Sequence, residues 1–281
     1  MTGPNAAQAE FWSGDAGQRW VTHHRDLDLL HDAVRALLMA RAAPAPGERV
    51  LDVGCGGGAL TLSAARAVGP EGAAHGVDIS APLLALAEAD RAAAGLAQAR
   101  FLEADAQVGE LPGPYDLVLS RFGVMFFDDP EAAFARLRAA LAPGGRMLFA
   151  AWSEARHNPW FGEARAVAVD HLGAPPAGDP DAPGPMAFRD PARVQAILAA
   201  AGWRDITVEP VDLSLHHPEG WAAMERLLPA IGPIPSVLRD MGGSAADRAA
   251  ILARMHRRWE KYLSADGIRL PARVNLVAAR G

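Results

Sequence analysis

Residues Val50-Leu51-Asp52-Val53-Gly54-Cys55-Gly56-Gly57-Gly58 decide the fold. Val50 to Val53 form a short, β-branched apolar run that stops in glycines, the composition of a strand buried on both faces and entering a tight turn. Behind the glycines, residues 59–67 carry a helix pattern ended by Gly69 and Pro70. A strand that passes through glycine into a helix lets the backbone approach a ligand closely, and the helix start supplies unpaired N–H donors. The spacing of Gly54, Gly56 and Ala59 also satisfies the G-x-G-x-x-G/A pattern of dinucleotide sites, so the loop alone leaves a nicotinamide or flavin ligand open.

Outward from this loop the alternation continues. Residues 74–79 read as a second strand, followed by Ser80 as an N-cap, Pro82 in the first turn and a helix that stops near Gly95. Residues 99–103 and 115–120 read as strands, Asp129 and Pro130 open a helix that closes at Pro143, Gly144 and Gly145, and residues 146–152 read as a fifth strand. Asp190 and Pro191 start another helix ended near Gly202, before strand-like residues 205–215 and a last strand at 273–279. Repeated strand-helix units imply right-handed crossovers and a mostly parallel sheet covered on both faces, so the fold class is α/β. Upstream, Trp20, Leu27, Val34 and Leu38 recur at helical spacing and predict one N-terminal helix over residues 16–43. Residues 173–185 are too rich in Pro and Gly for either regular element. Residues 219–263 return to helix, with a Ser244/Asp247 capping box opening the second stripe, and they read as a cap over the carboxyl edge of the sheet.

Composition narrows the partners. The chain has 281 residues, 50% of them hydrophobic, with 27 Lys plus Arg against 33 Asp plus Glu and a formal net charge of −6. No window concentrates basic residues, which argues against nucleic acid. The single cysteine, Cys55, excludes an internal disulfide and a cysteine-built metal cage, and no His spacing suggests a metal. No stretch approaches the roughly 18 apolar residues of a membrane span, and the first residues lack a signal-peptide pattern, so the expectation is a soluble, cytoplasmic chain. The sequence sets no oligomeric state, with a homodimer among the options.

Two acidic residues separate the readings of the loop. Asp78 ends the second strand, where a carboxylate accepts both hydroxyl hydrogens of a ribose. Asp105 ends the third, where it accepts from an exocyclic amine such as that of adenine. Together with the glycine loop they describe a nucleoside laid across the ends of three adjacent strands.

With these residues assembled, the sequence resembles the class I S-adenosylmethionine-dependent methyltransferases, and more closely their ubiquinone/menaquinone-type and small-molecule groups. The resemblance rests on the loop at 50–58, Gly76-Val77-Asp78-Ile79-Ser80, Glu103-Ala104-Asp105-Ala106, residues 115–127 and residues 141–149, and covers about residues 45–153. It extends more weakly to residues 11–20 and to the closing strand. It implies a Rossmann-like, seven-stranded, mostly parallel sheet whose last strand inserts antiparallel beside the strand at 205–215. It implies S-adenosyl-L-methionine as cofactor, with Gly54 and Gly56 facing the amino acid moiety, Asp78 and Ile79 the ribose, Asp105 with Ala106 the adenine, and Ser120 the region near the sulfonium. Asp52 either anchors the loop or contacts the methionine end, and Cys55 belongs to the loop by position. Gly57 and Gly58 stand where many relatives carry Thr or another side chain, which removes a contact and keeps the backbone cradle.

The expected organisation is an N-terminal helical lid at 1–44 with Trp12 and Trp20 closing over the cofactor, a core at 45–215 and 268–281 in which 156–189 is partly loop or cap, and a helical cap at 216–267 that binds substrate. Methyl transfer is a displacement at carbon that depends on alignment and exclusion of water, so a general base is optional. His24 is the candidate base, and Arg121 the candidate contact beside the transferred group. After the fourth strand stands Ser120-Arg121-Phe122-Gly123 and not the Asn-Pro-Pro-aromatic motif of enzymes acting on nucleobase or glutamine amides. That points to a small-molecule acceptor in an enclosed, partly apolar pocket. The alternatives are a quinone-precursor C-methyltransferase and, from another class, a protein that holds S-adenosylmethionine or S-adenosylhomocysteine without turnover.

Overall fold

A computed structural model of the protein describes residues 5–281; the first four residues of the expected lid lie outside the described residues. In chain order the elements are α1 (Ala6–Ser13), α2 (Asp15–Leu30), α3 (Asp32–Ala42), β1 (Arg49–Val53), α4 (Ala59–Val68), β2 (Ala73–Asp78), α5 (Ala81–Ala94), β3 (Ala99–Glu103), β4 (Tyr115–Arg121), α6 (Pro130–Ala139) and β5 (Leu141–Trp152). Then follow α7 (Gly162–Leu172), α8 (Pro191–Ala200), β6 (Arg204–His217), α9 (Trp221–Leu227), α10 (Pro233–Asp240), α11 (Ala245–Trp259), β7 (Leu263–Ser264) and β8 (Gly267–Arg280).

The sheet runs β3-β2-β1-β4-β5-β8-β6, with the two-residue β7 added beside β8. Strands β3 to β5 are parallel, and β8 lies antiparallel between β5 and β6, as the resemblance implies. The chain winds one way from β1 to β3 and then returns to β4 on the other side of β1. That reversal opens a crevice at the carboxyl ends of β1 and β4, the place where open α/β sheets bind ligands. Val50, Leu51, Asp52 and Val53 are all buried because α3 and α4 pack against this part of the sheet, which is why β1 reads as an unbroken apolar run.

Several boundaries differ from the sequence reading. The single helix expected over 16–43 is two helices, preceded by α1, and the break falls at His31 (φ −94, ψ 9). No Gly or Pro marks it; packing does. The break lets α2 run along α5 and the end of β6 while α3 turns down onto β4 and β5, and it buries the His31 ring. The fifth strand begins at Leu141, so Pro143 to Gly145 lie in β5 and do not follow a helix. Helix α7 was not anticipated, and the cap stripes resolve into three helices, of which α10 and α11 pack on α7. The Ser244/Asp247 capping box is present, and residues 173–185 contain no helix or strand. Ser80 occupies the N-cap position of α5, but its hydroxyl donates to Trp12 O at 2.8 Å instead of capping.

The last two long strands reach beyond the sheet. Pairing of β5 with β8 ends at Trp152 with Val274, whereas β6 and β8 stay paired to His217 with Ile268. This two-stranded ribbon rises roughly 20 Å past the end of β5 at about 3.3 Å per residue, and the cap helices grow from its tip. His217, buried at 0% exposure, meets Asp26 of α2 at 3.2 Å, and Arg226 of α9 meets the same carboxylate at 3.0 Å. Helix α2 and the ribbon are therefore joined across the carboxyl edge. A second joint lies in the cap, where Glu163 of α7 accepts from Arg258, Trp259, Lys261 and Tyr262. No helix among the described residues is long and apolar enough to cross a membrane.

Candidate active site

The glycine loop sits in the crevice between β1 and β4. Gly54, Gly56 and Gly58 all have positive φ, at +65°, +53° and +83°, values that favour glycine. The N–H groups of Gly54 and Cys55 both donate to Val77 O, and that of Gly56 donates to Asp78 Oδ2 at 2.8 Å. These three N–H groups tie the loop to β2, and its glycines serve close approach. A Cβ on Gly56 or Gly57 would meet nothing within 4 Å, so the space above the loop is open.

Beneath the loop lies Asp52, 1% exposed. Its Oδ2 accepts from Thr61 Oγ1 at 2.7 Å, while Oδ1 is buried with no partner among the described residues. Burial pushes its carboxyl up to about 7, with the nearby Asp78 adding to the rise and Thr61 and Arg121 opposing it. Asp78 is raised above the usual carboxylate range by burial, against the N–H groups of Gly56 and Ser80 that its two oxygens accept. Each of those oxygens keeps a further lone pair. Asp105 accepts from Gln107 N at 2.9 Å and from the Asn5 side chain at 3.1 Å, and Asn5 also accepts from Asp128 N, so the residue before α1 bridges the turns after β3 and β4. Ala106 is buried beside it, and Ile79 is partly exposed.

The N-terminal helices cover this edge. Trp12 packs edge-on against Trp20 and Phe126, at centroid distances of 5.6 and 5.2 Å, and its carbonyl is held by Ser80. Cys55 is buried with its thiol pushed up by burial and by the carboxylates of Asp78 and Asp52, which leaves it inert as a nucleophile.

Ser120 lies at the end of β4, beside the glycine loop. Its hydroxyl donates to Val53 O at 2.7 Å and accepts from Gly123 and Val124 N–H, and the residue is fully buried. It fixes the turn after β4 against β1 and does not face the open space. His24 bonds the carbonyl of Val21 through Nδ1 and lines an open groove with Asp28 and Asp90. The histidine brought to the ends of β4 and β5 is His31, 5.5 Å from the Phe122 ring and 5.7 Å from Trp152. No signal in the sequence marks this position, because only the break at His31 turns the ring inward. Burial and the Arg121 charge hold its imidazole down to about 3, so it is neutral at pH 7.

Arg121 is the last residue of β4. It is held by Asp28 through Nη2 at 2.6 Å, and its Nη1 is buried without a partner among the described residues. One open groove is lined by Glu103, Glu110 and Arg136 and another by His24, Asp28 and Asp90; the glycine loop lines neither. No group of His, Cys, Asp and Glu able to hold a metal occurs among the described residues.

These residues fit S-adenosylmethionine. The orphaned Asp52 Oδ1 matches a ligand ammonium, the open space over Gly56 and Gly57 admits a chain, and Asp78 and Asp105 offer carboxylates at the ends of β2 and β3.

Comparison with known proteins agrees with the geometry. A family model described as a methyltransferase domain matches residues 50–145. The chain is 33% identical over 188 residues to the nocamycin O-methyltransferase of Saccharothrix syringae, covering 64% of this chain and 67% of that protein. It is 38% identical over 107 residues to the aklanonic acid methyltransferase DauC of Streptomyces sp. strain C5, covering 38% of this chain and 49% of that protein. The chain thus spans about half the length of the latter relative, 49%, and 67% of the former. Among solved structures, the YcgJ protein of Bacillus subtilis aligns over 88% of this chain and 97% of its own at a TM-score of 0.54 and 17% identity, a likeness of fold.

Proposed function

We propose that this chain, which belongs to the S-adenosylmethionine-dependent methyltransferase family, transfers a methyl group from S-adenosylmethionine to an oxygen of a small-molecule acceptor. The observation that carries the reading is the row of carboxylates Asp52, Asp78 and Asp105 at three neighbouring strands around one glycine loop. When bound, the cofactor supplies an electrophilic methyl on a sulfonium. Asp78 accepts from the ribose hydroxyls, with Ile79 beside it. Asp105 and Ala106 bound the adenine, and Asp52 Oδ1 accepts from the ammonium of the methionine end. Gly54 and Gly56 let that end lie close to the backbone. Trp12 and Trp20 close the edge and exclude water, which strengthens each of these contacts and protects the reacting centre.

The rest of the chain divides accordingly. The segment up to residue 44 covers the cofactor, residues 45–215 with 268–281 hold it, and residues 216–267 wall an acceptor pocket that forms as the lid moves. Oxygen is favoured as the attacking atom because the relative matched over 188 residues is an O-methyltransferase.

The test is calorimetric titration with S-adenosylmethionine, S-adenosylhomocysteine and NAD, repeated on Asp78→Ala. Both sulfur ligands bind the wild type, and the variant binds them at least about tenfold more weakly, the worth of a charged hydrogen bond. Silence toward both in a folded protein, or a preference for NAD, sinks the reading.

A further inference from the structure

Arg121 carries an unfinished hydrogen-bond set. Its side chain is 16% exposed, Asp28 occupies Nη2, and the buried Nη1 has no partner among the described residues. A buried, unpaired donor is costly and rare, so it marks a place that something else completes. The turn beside it is held rigidly. Phe122, the next residue, is held at φ +68°, a left-handed conformation that is an outlier for a bulky side chain and clusters at ligand sites. That backbone lays the Phe122 ring on Trp152 at 4.1 Å and 8°, with Phe161 edge-on to Trp152 at 5.1 Å. Both rings are buried, Phe122 at 9% and Trp152 at 4% exposure, so this packing fixes the turn that follows Arg121 at the ends of β4 and β5, while Asp78 and Asp105 lie beyond β1 on the other side of the loop. Of the groups around Arg121, Asp28 is already engaged and Asp52 lies under the loop. His31 is neutral, and a proton placed on it would sit in a buried site beside a guanidinium. The geometry favours an acceptor that arrives ionised.

We propose that Arg121 Nη1 binds an oxyanion of the acceptor, a carboxylate or a phenolate. This rests on the methyltransferase reading above. Asp28 neutralises one positive charge at the site, and the acceptor oxyanion neutralises the other, that of the sulfonium. In the transfer, an oxygen lone pair forms the new C–O bond, the C–S bond breaks, and its electron pair stays on sulfur. Oxyanion and sulfonium charges cancel, so there is no proton to place and no base is needed. The neutral ether or ester formed has lost the charge that Arg121 held.

The test is calorimetry in the presence of S-adenosylhomocysteine with 2-naphthoate, 4-nitrophenolate and the neutral 2-naphthamide, on wild type, Arg121→Met and Arg121→Lys. At least one anion binds the wild type about tenfold more tightly than the amide, and which anion does so separates a carboxyl from a phenol acceptor. The preference disappears in Arg121→Met and is reduced but kept in Arg121→Lys, which retains the charge if the Met variant unfolds. S-adenosylhomocysteine affinity stays unchanged in both. Equal affinities in the wild type, or a preference that survives Arg121→Met, overturns the proposal. Loss of S-adenosylhomocysteine affinity in a folded Arg121 variant also overturns it, by assigning the guanidinium to the cofactor. A wild type that does not bind S-adenosylhomocysteine removes the reading beneath it and the proposal with it.

Discussion

Gly54 and Gly123 touch backbone to backbone: a Cβ built on Gly54 would lie 2.5 Å from the Gly123 Cα, and one on Gly123 would lie 2.4 Å from Val53 O. The turn after β4 is thus pressed onto the glycine loop with no room for a methyl on either side. Gly54→Ala is expected to cost on the order of 3 kcal/mol, combining overpacking with the positive φ. Gly56→Ala has only the φ cost, about 1 kcal/mol, since its Cβ meets no protein atom. Thermal unfolding ranks the two, and calorimetry with S-adenosylhomocysteine should show that Gly56→Ala, although folded, has lost at least about tenfold in affinity. Wild-type affinity in Gly56→Ala would place the ligand elsewhere.

Asp52 makes stability depend on pH. Its folded pKa of about 7 lies above the unfolded value of about 3.9, so between these the folded chain holds a proton that the unfolded chain has lost. Stability from this group is complete below about pH 4 and falls as pH rises toward 7. Asp52→Asn keeps an acceptor for Thr61 and removes the charge. Its stability advantage over wild type should grow from pH 5 to pH 8, reaching on the order of 2–4 kcal/mol in urea unfolding. Parallel profiles for the two proteins would refute the buried, unpaired carboxylate.

Ser120→Ala strips one buried hydroxyl of its bonds to Val53 O, Gly123 N and Val124 N. Leaving such groups unpaired costs about 2–4 kcal/mol in total. Amide exchange should accelerate first at Gly123 and Val124, ahead of the rest of β4. Uniform acceleration across β4 would mean that the hydroxyl does not hold that turn.

Asp26→Ala removes the carboxylate shared by His217 and Arg226. Global stability should drop by only about 1–2 kcal/mol, whereas amide exchange in α1 and α2 rises strongly and S-adenosylhomocysteine dissociates faster. Unchanged exchange over residues 6–30 would show that the lid is fastened by other contacts.

The sequence made the central strands and the cofactor edge legible because each rests on a local rule. A buried parallel strand is a continuous apolar run, as in Val50 to Val53, and a glycine turn and a strand-end carboxylate announce themselves at fixed positions. The break at His31 was hidden because no local signal makes it; the demand that α3 lie on β4 and β5 does. The extension of β6 and β8 past β5 was hidden for the same reason, since a ribbon's length is set by what it must reach. Sequence gives a residue's position and not the direction of its side chain, so the bonds of Ser120 to Val53 O and of His24 to Val21 O were not legible in it. The strained Phe122 and the unpaired Arg121 Nη1 carry no sequence signature at all.

The position of β8 bears on the order of assembly. Residues 267–280 lie between β5 and β6, so every other strand of the sheet is synthesised before the one that joins its two parts. At the pace of translation, β3 to β5 can dock while β6 waits with no partner of its own. Asp26 of α2 finds His217 in its final place only when β8 has paired with β6. The joint between α2 and the ribbon is therefore completed late in the birth of the chain, and β6 is the strand most exposed to wrong pairing until then.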